Sequence, residues 1–251
     1  MPRYRLTLEY DGTPFRGWQR QPGGPSVQEA VEQAVLRASG EAVTVTAAGR
    51  TDAGVHALGQ VAHLDLARAW APERLVGALN QHLKPAPVAV LEARRAADDF
   101  HARFSAVRRA YVYRILNRRA PPVLERDRCW HVPVRLEHEH MREAAQDLVG
   151  RHDFTSFRSS ECQAPSPVKT LELIDVVRVT GEVVEVRLRA RSFLHHQVRN
   201  VVGTLKLVGE GKAGTGHVRA VLAARDRAAA GQTAPAAGLF LESVGYGDGA
   251  G

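Results

Sequence analysis

The chain has 251 residues, 44% hydrophobic and 24% charged, with a formal net charge of +7. That length allows one large domain or two medium ones with a real core, and no run approaches the ~18 apolar residues of a membrane helix. Cys129 and Cys162 lie far apart with no C-x-x-C, which signals neither a redox pair nor a zinc site, and only four of the 34 basic residues are lysines, an arginine excess that suits bidentate phosphate contacts or reflects GC-rich codons.

The opening MPRYRLTLEYDG has no uninterrupted apolar segment, so no signal peptide is expected and a cytoplasmic location follows. RYRLTLEY (3–10) alternates as a half-buried strand, and DGTPFRGWQRQPGGP (11–25) is a loop by its glycines and prolines. Ser26 with Glu29 three residues on makes a capping box for a helix whose stripe is Val27, Ala30, Val31, Ala34, Val35 and Ala38, ended by Gly40. Strands are predicted at 42–48, 59–66 and 87–96, with a helix over 71–83 carrying Pro72 in its first turn. The order is β-α-β-β-α-β, a split βαβ arrangement.

The second half is read as repeating that order. RRAYVYRIL (108–116) and CWHVPV (129–134) are β-like, 136–150 is a helix ending at Gly150, and 168–181 with 182–190 form a hairpin turning at Thr180–Gly181. Ser192 is expected to cap a long helix, followed by a helix at 217–226 and a closing strand at 238–246. The fold class is therefore α+β, with two similar halves, each an antiparallel sheet flanked by helices, joined into one extended sheet around a central basic cleft. Residues 1–105 form an N-terminal half carrying the catalytic loop, and 106–251 a C-terminal half carrying the basic helix.

Several stretches invite a functional reading. GEGKAGTG (209–216) fits G-x-G-x-x-G but follows a helix rather than a strand, so a C-cap and exit loop explain it better. In EHEH (137–140) the two histidines face different ways on a helix, so a solvated face outweighs a metal pair. On the late helix Leu194, Val198, Val201, Val202, Leu205 and Val208 form the apolar stripe, and His195, Arg199 and Lys206 border it as a basic row. Snorkelling cations and a cleft-facing row are evenly matched readings of that border. Tyr111 and Tyr113 alternate with arginines, as core tyrosines or as a stacking aromatic beside phosphate-binding groups.

AAGRTDAGVHALGQ (47–60) connects two strands and sets Asp52 between Gly49 and Gly54, with Arg50 two residues before and His56 four after. An Asx turn is the bland reading. The glycines instead leave room for a ligand or another backbone. A lone aspartate cannot run a two-carboxylate mechanism, but it serves as nucleophile or general base when ionised, which a nearby arginine favours.

These stretches together resemble the tRNA pseudouridine synthase A family. GRTDAGVHA is similar to its catalytic motif, YRLTLEYDGTPFRGWQRQP to its first strand and loop, SFLHHQVRNVVGTL to its late helix, and APAAGLFLESVGY to its closing segment; FSAVRRAYVYR and ECQAPSPVKTL fit as well. The resemblance implies an isomerase that converts uridine to pseudouridine at positions 38, 39 and 40 of the tRNA anticodon stem-loop. It implies a homodimer that needs no cofactor and no metal. By motif it makes Asp52 the nucleophile, attacking C1′ or C6, Tyr111 the ring that stacks on a flipped-out base, and Arg199 the cation paired with the aspartate. Arg50 would help extrude the nucleotide, with His195 and Lys206 on the RNA side, while His56 braces the loop or touches substrate. The competing readings are a non-catalytic RNA-binding module and a single-carboxylate hydrolase that would release free uracil.

Overall fold

The computed structural model describes residues 1–247. It divides into two compact units, Met1–Arg109 together with the segment from Phe240 on, and Ala110–Leu239. Sequence order alone assigns that closing segment to the second half; its packing assigns it to the first unit.

The first unit runs β1 (Arg3–Tyr10), α1 (Val27–Ser39), β2 (Thr46–Ala47), β3 (His56–Asp65), α2 (Pro72–Leu83) and β4 (Val88–Arg95), the order expected from its periodicities. β1 lies between β3 and β4 and is antiparallel to both. Its alternation buries Tyr4, Leu6, Leu8 and Tyr10. The Ser26 hydroxyl caps α1 by accepting the Glu29 N–H, and Gly40 ends the helix at φ 76°. Val27, Val31, Ala34 and Val35 of α1 and Leu75, Leu79 and Leu83 of α2 supply the helical side of the core. The closing strand, Leu239–Tyr246, pairs in parallel with β3 at Phe240–His56 and Leu241–Ala57.

In the second unit β5 (Ala106–Leu116), inside which the boundary at Arg109 falls, is followed by β6 (Trp130–His131), α3 (His138–Ala145), β7 (Gly150–Asp153), β8 (Val168–Arg178), β9 (Val183–Ala190), α4 (Gln197–Gly209) and α5 (His217–Ala224). The sheet order is β5-β9-β8-β7, with β6 attached in parallel to β5. The β8–β9 hairpin turns where Thr180 and Gly181 predict it.

Four expectations change. The sheets are mixed rather than antiparallel, because β6 and the closing strand enter in parallel. The second unit does not repeat the first element by element: Gly150, at φ 104°, opens a strand instead of merely ending a helix. β2 keeps only the two residues that find partners on β3, since Val45 gives its N–H to the Glu32 carboxylate instead. The long helix starts at Gln197, not after Ser192, because His196 takes the left-handed conformation at φ 60°, which a helix cannot propagate through.

α4 is the spine of its unit. Its stripe is buried as expected, and residues 231–234 are stitched along it: Gly231 donates to Thr204 Oγ1, Thr233 Oγ1 to Asn200 Oδ1, and the Ala234 N–H to the Arg199 carbonyl. The approach is so close that a Cβ on Gly203 would sit 1.7 Å from the Gln232 carbonyl oxygen. Gly203→Ala is therefore expected to destabilise the protein by about 1–3 kcal/mol or more, whereas Gly214→Ala, which meets nothing within 4 Å, leaves stability within about 0.5 kcal/mol. Denaturant unfolding of both variants checks this.

Candidate active site

The connection from Ala48 to Val55 carries Arg50, which is exposed, and Asp52, which is half-buried. The loop is fixed from several sides within the first unit. Trp18 donates its N–H to the Thr51 carbonyl at 3.0 Å, and Gly54 donates to Phe15 O at 3.3 Å. Arg109 Nη2 donates to Ala48 O at 2.6 Å, and Gln60 Nε2 to Gly49 O at 2.9 Å. Within the loop, the Val55 N–H closes onto the Asp52 carbonyl at 3.1 Å. The backbone on either side of the Asp52 side chain is thus held by partners from the 11–25 loop, β3 and β5.

Glycines make this docking sterically possible. Gly17 is at φ 94°, and a Cβ there would lie 2.5 Å from Thr51 O; a Cβ on Gly12 would lie 2.0 Å from Val55 O. Gly54, at φ 75°, takes the left-handed turn itself. Gly49 differs, since the nearest atom to a Cβ there is Arg109 Nε at 3.8 Å; the protein itself does not require glycine at 49.

Under the loop lies a buried polar cluster that sequence reading misses. The hydroxyls of Tyr10 and Thr51 are 2.8 Å apart, and Gln60 Nε2 donates to the Tyr10 oxygen at 3.3 Å. Gln60 therefore ties Tyr10 and Gly49 together, while Tyr10 holds Thr51, the neighbour of Asp52. Burial pushes the Tyr10 phenol up to about 12, partly offset by its hydrogen bonds to Thr51 and Gln60. The signal for Tyr10 is visible only as the last inward position of β1, which reads as ordinary core. His56 is 1% exposed; its Nδ1 accepts the Gly12 N–H at 3.1 Å and lies 3.2 Å from Asp11 Oδ1, and its ring stacks on Phe240 at 4.6 Å. These contacts make it a brace for the loop.

The other candidate residues belong to the second unit. Tyr113 is fully buried, donates to Pro235 O at 2.8 Å, and has its phenol pushed far up by burial. Tyr111 remains half-buried, its ring edge-to-face with Phe193 at 5.1 Å. Of the two tyrosines only Tyr111 keeps a ring that a base can reach, and Phe193, unremarked in the sequence, sets its orientation. His195 precedes α4 rather than lying on it, with its carbonyl accepting from Ser159 and its ring 4.0 Å from that of His196. Arg199 sits in the first turn of α4, half-buried, and its Nε donates to Ala234 O at 2.7 Å. Lys206 pairs with Glu210, the residue that caps α4, and lies over the Trp130 ring at 5.4 Å, so RNA contact by this ammonium has to compete with a carboxylate. Asp52 and Arg50 thus come from one unit, and Tyr111, His195, Arg199 and Lys206 from the other.

Comparison with known proteins bears on this arrangement. Residues 7–105 and 144–247 match the family model described as tRNA pseudouridine synthase. The chain is 63% identical over 246 residues to tRNA pseudouridine synthase A of Rhodospirillum centenum, covering 98% of this chain and 100% of that one. It is 61% identical to the protein of that name from Paramagnetospirillum magneticum, covering 98% and 96%, and 58% identical to the one from Sinorhizobium medicae, covering 98% and 100%. A solved Cbf5–Nop10–Gar1 complex overlays at a TM-score of 0.37 and 12% identity, covering 81% of this chain and 45% of that one, too loosely to carry weight. No helix among the described residues is long and apolar enough to cross a membrane.

The buried cluster generates two expectations. Thr51→Val removes one of the Tyr10 hydroxyl's two partners and lowers stability by about 1–3 kcal/mol, while Thr51→Ser retains most of it; denaturant unfolding separates them. The Tyr10 phenol stays protonated in the fold to about 12 but ionises near its ordinary 10.0 once unfolded. Above pH 10 the unfolded state therefore binds fewer protons, and stability present below pH 10 is lost as pH rises toward 12. Unfolding free energy measured from pH 9 to 12 falls, and less steeply in Tyr10→Phe.

Proposed function

Because the chain belongs to the tRNA pseudouridine synthase family, a family of isomerases, we propose that it isomerises uridines 38, 39 and 40 in the anticodon stem-loop of tRNA, with Asp52 as the nucleophile. The observation that carries this reading is the fixed backbone around one half-buried aspartate within the stretch GRTDAGVHA. Nucleophilic catalysis needs a carboxylate whose position is set before substrate arrives, since misplacement is costly in rate.

The reaction conserves every atom and electron. The N1–C1′ bond breaks, uracil turns, a C5–C1′ bond forms, the proton leaves C5, and N1 gains one. No oxidant or co-substrate is called for, and one carboxylate suffices to hold the sugar or base while the other fragment turns. The target base is stacked in the RNA and has to be flipped out, at a cost of a few kcal/mol. Stacking on Tyr111, oriented by Phe193, offsets about 1–3 kcal/mol of that. Arg199 supplies the cation for the Asp52 carboxylate, Arg50 fills the vacated stack or holds a phosphate, and His195 contacts RNA; Lys206 contributes only where RNA displaces Glu210. The enzyme acts as a homodimer in the cytoplasm.

Asp52→Asn is expected to reduce pseudouridine formation at positions 38–40 by on the order of 10³-fold or more while tRNA affinity stays within a few-fold, because phosphate contacts dominate binding. Site-resolved pseudouridine mapping on a tRNA set, with binding measured in parallel, checks both. Full activity in Asp52→Asn contradicts the nucleophile, and unchanged turnover in Arg199→Ala removes Arg199 from the reaction.

A further inference from the structure

The β7-β8-β9 region carries a groove of about 250 Å³ lined by Arg151, Lys169, Thr170, Arg191 and Ser192, together with Val168 and Glu172. Strand register groups Arg151, Thr170 and Arg191 on one face, while Lys169, adjacent to Thr170 in β8, leaves the strand on the alternate pleat and also lines the groove. Arg151 of β7 is paired directly with Thr170 of β8, and Lys169 with His152. On the other side Leu171 of β8 pairs with Ala190, the last residue of β9, which brings Arg191 level with Thr170. Three cations and two hydroxyls from three neighbouring chain segments thus converge, with no apolar core residue between them. Glu172 faces Arg189 at 3.3 Å, so the one acid at the groove has a cation of its own. Among the described residues, neither Arg151 nor Lys169 has an acidic partner.

We propose that this groove binds the phosphodiester backbone of the substrate tRNA, at nucleotides other than the one isomerised. The inference rests on the tRNA reading above. Cations and hydroxyls without a deep apolar pocket suit a chain of phosphates rather than a small molecule, for which sites are concave and mostly apolar. Guanidinium groups take phosphate oxygens bidentately, and Thr170 and Ser192 add neutral donors to the same oxygens. Ser192 is followed directly by Phe193, the ring that orients Tyr111. A strand held in the groove is therefore held by the same chain segment that sets the stacking tyrosine. None of the residues expected to act on the target nucleotide lines the groove.

The test uses the full chain and unmodified tRNA. Arg151→Gln/Lys169→Gln is compared with wild type and with Arg37→Gln/Arg74→Gln, which removes the same charge from helices of the other unit. Binding is measured from ~50 to ~200 mM salt. Each lost phosphate contact reduces the slope of log affinity against log salt by about one, so the groove variant's slope falls by about two and its affinity at ~100 mM salt drops roughly tenfold. The control pair keeps the wild-type slope, and thermal unfolding verifies that both variants fold. An unchanged slope in the groove variant, or an equal fall in the control, overturns the proposal. Failure of the tRNA reading is separate: wild-type protein would then make no pseudouridine, whatever the slopes.

Discussion

The N–H of Trp18 reaches the carbonyl of Thr51 only because residue 17 is a glycine in the left-handed conformation, flush against that same carbonyl. The segment works in both directions. Its carbonyls at Gly17 and Trp18 accept the N–H groups of Val27 and Gln28, two of the orphan donors at the start of α1. One short piece of irregular backbone thereby satisfies a helix terminus and pins the strand connection that carries Asp52. Any side chain at 17 has to separate the two, which links the stability of the first unit to the placement of its carboxylate.

Much of this was legible where signals are local. The Ser26–Glu29 cap, Gly40, the β1 alternation and the Thr180–Gly181 turn each depend on residues within a few positions of one another, and each element formed as read. What escaped depends on partners distant in sequence. β2 shrinks because Glu32, 13 residues away, takes the Val45 N–H. β7 is four residues of mixed polarity, too short to alternate, and exists because β8 offers it an edge. The parallel pairing of the closing strand with β3 is a contact across some 180 residues that no periodicity encodes. At the site, Asp52 and Arg50 stand out by type and spacing, whereas Tyr10, Thr51 and Gln60 look like ordinary strand and loop residues until the fold brings their polar atoms together under the loop.

The two tyrosines of β5 show how packing divides labour between similar residues. Tyr113 spends its hydroxyl on Pro235 O, and its ring lies so close to Gly238 that a Cβ there would come within 2.6 Å. It is a core residue with a satisfied polar tip. Tyr111, two positions away, meets the Phe193 ring edge-to-face and keeps part of its surface in solvent. Sequence spacing makes them equivalent; burial removes one of them from any contact with substrate.

A similar sorting applies to the cations. Arg3 is spent on Asp65, Arg20 on Glu32, Arg118 on Glu182, Arg187 on Glu185 and Arg219 on Asp147. Where such a pair is open to solvent it contributes little to stability, about 0–1 kcal/mol, but each of them cancels charge locally. The net charge of +7 is therefore unevenly expressed, and the surface potential that an RNA meets comes from the positions where basic residues outnumber acids. Such a field acts on affinity and association and is screened within about 10 Å at 0.1 M salt. The chemistry at a carboxylate is set instead by contacts of 3 Å held by backbone and buried hydroxyls, which salt hardly touches. Binding and turnover in this protein should accordingly respond to different perturbations, one to ionic strength and the other to the glycines and the hydroxyl cluster that fix residues 48–55.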